Sequence, residues 1–581
     1  MKKWSGGLVL VFFFAILLIR YVVVENPLAE MSIPSLFSQN NSEHLHWVNA
    51  AENLPFVPNP KNDSDVLSST SLVAQLSVAQ NLSDGEQLSL QTWEYMLRLV
   101  SHSNGLPQAA EAVKEAITAW KGLLTSLEDD KLANNRNGNK SKERKEKQCP
   151  YSVIRMNTSE FSGSEFRLKI PCGLVQGSSL TIIGTPDGIL GNFKIDLIGT
   201  VLPGEHDPPI VLHYNVRLQG DKITEDPVIV QNTWSLVHDW GPEGRCPSAD
   251  HENNKKVDNL DRCSEEVGKD NRFTSKSSVH NPSKKAARSG RYFPFKQGYV
   301  AVSTLRIGAE GIQMSVNGKH ITSFAFRETL EPWLVNEVRI SGDIKLLSVV
   351  SSGLPTFEDA ERVNDLELLK SSAFPIHKDV DLFIGVFSTA NNFKQRMAVR
   401  RTWMQYDSVR SGAVLVRFFV GLHKNQLVNE ELWSEACTYG DIQLMPFVDY
   451  YNLITWKTVA ICIYGTHVVS AKYVMKTDDD AFVRIDEMLS SLSDARAARG
   501  LLYGRISSED HPNRDTNSKW YISPEEWPGQ IYPPWAHGPG YVISKDVAMD
   551  VYKQFKNGHL KMFKLEDVAM GIWIDDMKKR G

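Results

Sequence analysis

The hydrophobic pattern changes period along the chain, and that change constrains the fold more than any other feature. Between Cys149 and about Gly353, short segments such as SLTIIGT, NFKIDLIGTVL, IVLHYNVRL, PVIVQNTW, GYVAVSTLRI and IQMSVNG alternate apolar and polar residues, with turn residues between them. A period of two at that pitch predicts a β-sandwich. From Val380 the texture differs: apolar DLFIGVFS, helical NNFKQRMAVRRTWM, apolar VLVRFFVG, helical KNQLVNEELWSEAC, apolar IQLMPF, helical TWKTVAICIYGTHVV, then AKYVMK. Strands alternating with helices predict β-α-β crossovers and a mainly parallel, doubly wound sheet.

Two further regions precede these. An apolar run from Trp4 to Val24 is long enough as a helix to cross a bilayer core of about 30 Å. Lys2 and Lys3 lie before it and Glu25 after it, so the positive-inside rule predicts a type II signal anchor with the remainder lumenal. Asn40, Asn62, Asn81, Asn139 and Asn157 each begin an N-x-S/T triplet, the acceptor pattern for glycosylation in such a compartment. Between residues 25 and 148, LSLQTWEYMLRLV and AAEAVKEAITAWKGLLTSL show helical spacing, predicting a small helical hairpin in a stem without chemistry. The expected organisation is a tail (1–3), a transmembrane anchor (4–24), a stem (25–148), a β-sandwich domain (149–355) and an α/β domain (376–581). Within the sandwich the polar stretch 246–290 reads as a mobile insertion. Six cysteines would sit in an oxidising lumen, and spacing alone does not pair them. A formal charge of -5 offers no basic field for nucleic acid.

The α/β segment carries an acid triplet, Asp478, Asp479 and Asp480, at the end of a strand. Ligands of doubly wound sheets bind outside the carboxyl ends of strands. In extended chain Asp478 and Asp480 share a side while Asp479 points elsewhere. Two carboxylates on one side suit Mn²⁺, with Mg²⁺ as the other choice, and the shell is completed by water and a substrate diphosphate.

With RMAVRRTW, RFFVG, DYYNLITWKT, KTDDDAFV, KWYIS, YPPWAHGPGYVIS and LEDVAMG in order, residues 376–581 resemble the catalytic domain of the family 31 glycosyltransferases, the β-1,3-galactosyltransferase-like group. The resemblance implies a GT-A type fold and an inverting transfer from a nucleotide sugar. It places Asp478 toward the ribose side of UDP with Asp479 beside the donor, Asp480 on the metal and Asp567 as general base. On residues alone Asp567 reads as a helix-start carboxylate. Tyr532 to Gly540 reads as a shaped loop near the acceptor or as a simple turn. Arg396 and Arg400, one helical turn apart, read as facing a diphosphate or as a surface pair. Fourteen residues follow Asp567, whereas members of that family continue through a histidine metal ligand and a cysteine-containing stretch. On that comparison the domain is shortened, the metal is held more weakly, and apolar surface around Ile572 to Ile574 is expected to be poorly covered.

The sandwich segment has its own signature. His213, Asn215 and Arg217 alternate along one strand, and Asn232, Trp240, Glu243 and Arg245 follow, resembling the galectin pattern H-x-N-x-R … N … W-G-x-E. An indole can stack on the C–H face of galactose while the polar groups bond its hydroxyls. Trp240 as a core residue is the competing reading.

A galectin module before a family 31 domain resembles the plant galectin-containing β-1,3-galactosyltransferases. The combination implies a Golgi membrane enzyme moving galactose from UDP-galactose to hydroxyproline of arabinogalactan proteins. The alternatives are extension of N-glycans, or a tethered galactoside-binding lectin or inactive subunit.

Overall fold

The computed structural model describes residues 72–581 apart from 79–80, 102–105, 107, 137–148, 157–164, 202–205, 237–238, 248–255, 270–290, 328–329, 358–365, 372–379, 495–498, 517 and 519. The apolar run from Trp4 to Val24 and four of the five sequons lie outside these residues. Asn81 is described and exposed. No described helix is long and apolar enough to cross a membrane.

The alternating segments form two antiparallel sheets. One runs in the order Val153–Met156, Ile344–Ser352, Ser179–Pro186, Ala301–Ile307, Gly311–Val316, Lys319–Ala325. The other runs Glu165–Lys169, Val335–Gly342, Phe193–Gly199, Ile210–Arg217, Val228–Ser235, with the short Asp239–Trp240 and Gly244–Cys246 both pairing with Val228–Ser235. Leu180, Ile182, Leu305 and Met314 of the first and Ile195, Leu197, Leu212 and Tyr214 of the second are all buried, which is the alternation predicted from sequence. Asn317 and Gly318, both at positive φ, close the tight hairpin between the last two strands of the first sheet.

The described part of 246–290, residues 246–247 and 256–269, is ordered and not the mobile insertion expected; the rest of that stretch lies outside the described residues. Cys246 and Cys263 form a disulfide, Lys256–Val257 pairs with Leu260–Asp261, and Val257, Cys263 and Val267 are buried. A few apolar residues and one crosslink suffice to dock this stretch on Lys319–Ala325, and its polar composition hid them. The second disulfide joins Cys149 and Cys172, while Cys437 and Cys462 are free.

The α/β domain is a six-stranded sheet ordered Ile442–Val448, Val414–Leu422, Val380–Phe387, Ala471–Asp478, Trp535–Ser544, Leu502–Ser507. The first four strands are parallel and the last two antiparallel. Val414–Leu422 is buried over its whole length, as expected of a sheet covered on both faces. Gly385 admits the helix Ile454–Ile463, since a Cβ there would stand 2.3 Å from Ile461 Cγ1.

The stem hairpin is part of this body. The helices Trp93–Ser101 and Ala109–Arg136 pack on the edge strand Ile442–Val448. Trp93 stacks on Trp120 at 4.8 Å, and Trp120 meets the edge of Trp433 at 6.0 Å. Burying these indoles shields an edge strand that would otherwise be open for pairing. The helix Glu566–Arg580 covers the other end of the domain. Its own Ile572 and Trp573 are buried, and Trp573 Nε1 donates to Lys561 O at 2.7 Å. The expectation of poorly covered apolar surface there is corrected, because that helix packs on Trp535–Ser544 and on two neighbouring helices.

Candidate active site

The sheet order reverses between Val380–Phe387 and Ala471–Asp478, and Phe387 pairs in register with Asp478. A crevice opens at such a switch point, outside the strand ends. The acid triplet and the loop 388–392 form its two lips.

The three acids have different surroundings. Asp478 is partly exposed and receives Lys476 Nζ on Oδ1 at 2.8 Å, so the two side chains do share a side of the strand. Asp479 turns the other way, where Asn392 Nδ2 donates to its Oδ2 at 3.0 Å. Burial pushes its carboxyl up to about 6, against the hydrogen bonds of Ser388 and Asn392. Asp480 is exposed.

Glu566 and Asp567 open the helix that faces Asp478. Glu566 is buried and held by Lys476 Nζ at 2.7 Å, Thr458 Oγ1 at 2.8 Å and Tyr541 OH at 3.1 Å. Burial raises the carboxyl of Asp567, and the nearby Asp478 charge adds to the rise. Gly538 lies between these groups. Tyr532 to Gly540 is a strand from Trp535 onward rather than a loop. A Cβ on Gly538 would stand 3.4 Å from Asp567 Oδ2, 3.6 Å from Lys476 Nζ and 3.8 Å from Glu566 Oε1. The missing side chain leaves room for about one methyl group in ordinary contact with these three polar atoms.

Arg396 and Arg400 neither face a diphosphate nor lie on the surface: both are fully buried. Arg396 grips Glu435 with Nε at 2.8 Å and Nη2 at 2.6 Å, while its Nη1 donates to Ser388 Oγ at 2.9 Å. Arg400 grips Asp441 with Nε at 2.8 Å and Nη2 at 2.7 Å and reaches Glu435 at 2.7 Å. Their task is to fix the loop that meets Asp479. Lys457 acts with them, donating to Ser388 O at 2.8 Å while paired with Asp449 at 2.5 Å. Asp449 in turn accepts Gly421 N at 2.8 Å. Neither Lys457 nor Glu566 was singled out from sequence, although both lie in the quoted motifs.

On the sandwich, His213, Asn215 and Arg217 project from one side of their strand as predicted. His213 Nδ1 lies 2.5 Å from Asp196 Oδ1, and Asn215 Nδ2 lies 3.4 Å from His213 Nε2. Asp221 accepts both Arg217 and Arg245 at 2.6 Å, and Arg245 also reaches Glu243 at 3.1 Å. Trp240 is 48% exposed and meets His213 edge to face at 5.1 Å, so it is not a core residue. Asn232 is opposite His213 in register but buried, with its Oδ1 taken by Arg327 Nη1 at 2.9 Å and by the Thr233 amide. Only its amide nitrogen is left to meet a sugar. Arg327 reaches this face from a segment 95 residues away and carried no local signal.

An antiparallel sandwich with a polar face around an exposed indole, followed by a switch-point crevice lined by carboxylates, defines a protein that handles carbohydrate in two places. Profiles described as galactosyltransferase and as galactoside-binding lectin match residues 394–580 and 165–351 respectively. The chain is 55% identical to β-1,3-galactosyltransferase GALT1 of Arabidopsis thaliana, covering 100% of this chain and 92% of that protein. Hydroxyproline O-galactosyltransferases GALT5 and GALT6 of the same plant are 36% and 38% identical over 82% and 70% of this chain, and 73% and 64% of theirs. The chain belongs to the galectin-domain β-1,3-galactosyltransferases and is a glycosyltransferase.

Proposed function

We propose that the chain transfers galactose from UDP-galactose to a hydroxyl of a glycan acceptor, with inversion, within a GT-A type domain in the Golgi lumen. The convergence of Asp567, Lys476 and Glu566 on Gly538 carries this reading. The acceptor oxygen attacks the anomeric carbon, its proton passes to Asp567, and the bond to UDP breaks with its electron pair leaving on the β-phosphate oxygen. Burial keeps Asp567 basic enough to accept that proton. Lys476 and Glu566 hold the wall behind it, Asp478 faces the nucleotide, and Asp479 fixes the loop at Asn392 on the donor side.

A divalent cation fits the donor set only in company. Asp478 and Asp480 stand at the lip, Asp478 Oδ1 already receives Lys476, and among the described residues no group of three or more acid, histidine or cysteine side chains is placed to hold a metal. The residues suit Mn²⁺ or Mg²⁺ that enters with the diphosphate, whose oxygens supply the remaining ligands. Bound there, the cation would neutralise charge on the departing diphosphate. Calorimetry of UDP binding with and without Mn²⁺ tests this; equal affinity in both would remove the cation from the reading.

The glycan acceptor is favoured by the 55% full-length identity to a β-1,3-galactosyltransferase. A hydroxyproline acceptor is the second reading, supported by the relatives that share 36% and 38%. Incubating the full chain with UDP-galactose and either a β-linked oligosaccharide or a hydroxyproline peptide separates them. No transfer to either acceptor overturns the enzyme's proposed donor.

A further inference from the structure

A cleft of about 1420 Å³ runs between the sandwich and the α/β domain. Its α/β wall includes Asn391 and Asn392, of the loop that meets Asp479, and its sandwich wall includes Arg245, Arg262 and Arg327. The two walls are held at a fixed spacing. Trp333 of the sandwich packs on His423 at 4.7 Å and on Tyr450 at 6.3 Å, and Asn425 Nδ2 donates to Pro171 O. Glu115 of the stem helix braces the joint through Lys424 at 2.7 Å.

The charges of the cleft do not cancel. Five basic and three acidic side chains line it, and the acids are engaged: Asp226 with Arg291 at 2.5 Å, Glu243 with Arg245 at 3.1 Å, and Glu331 with Trp333 Nε1 at 2.6 Å. Arg327 donates only to neutral acceptors, Asn232 Oδ1 at 2.9 Å, Thr233 Oγ1 at 2.8 Å and Pro242 O. Arg262 has a buried Nε with no acceptor. Among the described residues no carboxylate pairs with either guanidinium. Burial, together with the smaller effect of the Arg262 charge, lowers Arg327 to about 10, as expected of two cations sharing a site. Half-buried guanidinium groups of this kind are satisfied by an anion that presents two oxygens in a plane.

We propose that this cleft is the acceptor channel, and that Arg262 and Arg327 receive the carboxylate of a uronic-acid residue on the acceptor glycan. A saccharide is favoured over an acidic peptide because Arg327 also bonds Asn232 of the galactoside face and Pro242 of the loop bearing Trp240. A glycan held there can continue from that face toward Asn391 and the crevice. The disulfide-bonded insertion acquires a purpose, since it delivers Arg262 to the cleft. The inference rests on the galactosyl-transfer reading above.

The test uses the full chain, UDP-galactose and two galactose-terminated oligosaccharides that differ only in a glucuronic-acid branch. The wild type should show a KM about ten-fold lower for the acidic acceptor. Arg262→Ala should abolish that ratio and Arg262→Glu should reverse it, with unchanged circular dichroism showing that both variants fold. A ratio near one in the wild type, or one that survives Arg262→Glu, overturns the inference, and so does preference for an aspartate-bearing hydroxyproline peptide over both saccharides. If neither oligosaccharide is galactosylated, the transfer reading fails. Calorimetry of the glucuronate oligosaccharide on wild type and Arg262→Glu then decides the site by itself, equal affinity refuting it.

Discussion

Lys476 and Glu566 form a buried ion pair, Nζ to Oε1 2.7 Å, joining the strand that ends at Asp478 to the helix that carries Asp567. Burial alone would lower the ammonium, but the charges of Glu566 and Asp478 outweigh it and hold Lys476 above its usual range. The pair sets the distance between the donor side and the base side of the crevice. Removing one partner strands a buried charge, which is costlier than losing the attraction itself. Lys476→Met should therefore destabilise the protein by about 3–5 kcal/mol at neutral pH. Glu566, whose carboxyl burial already raises, would protonate more readily in the variant, so the deficit should shrink as pH falls. Thermal melting of the two proteins across pH checks both statements; superimposable melting curves at neutral pH would show that the pair bears no structural weight.

Asp567 makes a separable prediction, because its carboxylate accepts the Val568 amide at 2.8 Å instead of joining the side-chain network of Glu566. Asp567→Asn should leave UDP binding and melting temperature close to those of the wild type, and should reduce kcat by about 10²–10⁴. A general base works ionised, and burial raises the pH at which this one ionises. The wild-type rate should thus fall on acidification at a higher pH than an exposed aspartate would dictate. Stopped assays over pH give the limb. A variant that retains its rate would assign the proton to another group.

The carboxyl of Asp479 titrates near pH 6, above its ordinary 3.8, because burial penalises the ionised form. The sign follows directly: at pH 7 the folded state bears a charge that the unfolded state carries more easily, and that penalty shrinks as pH falls through 6 and is gone below 3.8. Asp479→Asn, which keeps an oxygen for Asn392, should be the more stable protein at pH 7. Its advantage should fade toward pH 5. Paired melting temperatures at the two pH values measure this, and an advantage that grew on acidification would mean that Asp479 is not the group responsible.

What the sequence disclosed depended on how far a residue's partners lie along the chain. The alternation that put His213, Asn215 and Arg217 on one side, and turned Asp479 away from Asp478, is a local property of extended backbone and was legible. The helical spacing of Arg396 and Arg400 was equally legible, but their role was not, since Glu435 and Asp441 come from elements about 40 residues away. Arg327 likewise reaches Asn232 from a distant segment, so nothing near either residue reveals the contact. The stem helices showed their apolar stripe, yet only the folded sheet supplies the edge on which Trp93 and Trp120 are buried. In the insertion a single disulfide and a few apolar residues outweigh a composition that otherwise reads as solvent-exposed.

The galactoside face yields the last prediction, and Trp240 is the residue on which it turns. Its indole is half exposed, and its ring contact is the edge-to-face approach of His213 at 5.1 Å. A side chain that buries so little against its own protein contributes little to folding, so Trp240→Ala should change stability by no more than about 0.5 kcal/mol. The same exposure leaves the ring free to stack on the apolar face of a sugar, where truncation should weaken binding of a simple β-galactoside at least about ten-fold. Calorimetry with lactose measures the affinity, and melting measures the stability. The crevice is remote from this contact in function, so Asp480→Ala should leave lactose affinity as it is. Loss of folding in Trp240→Ala would return the tryptophan to the core and take the lectin site with it.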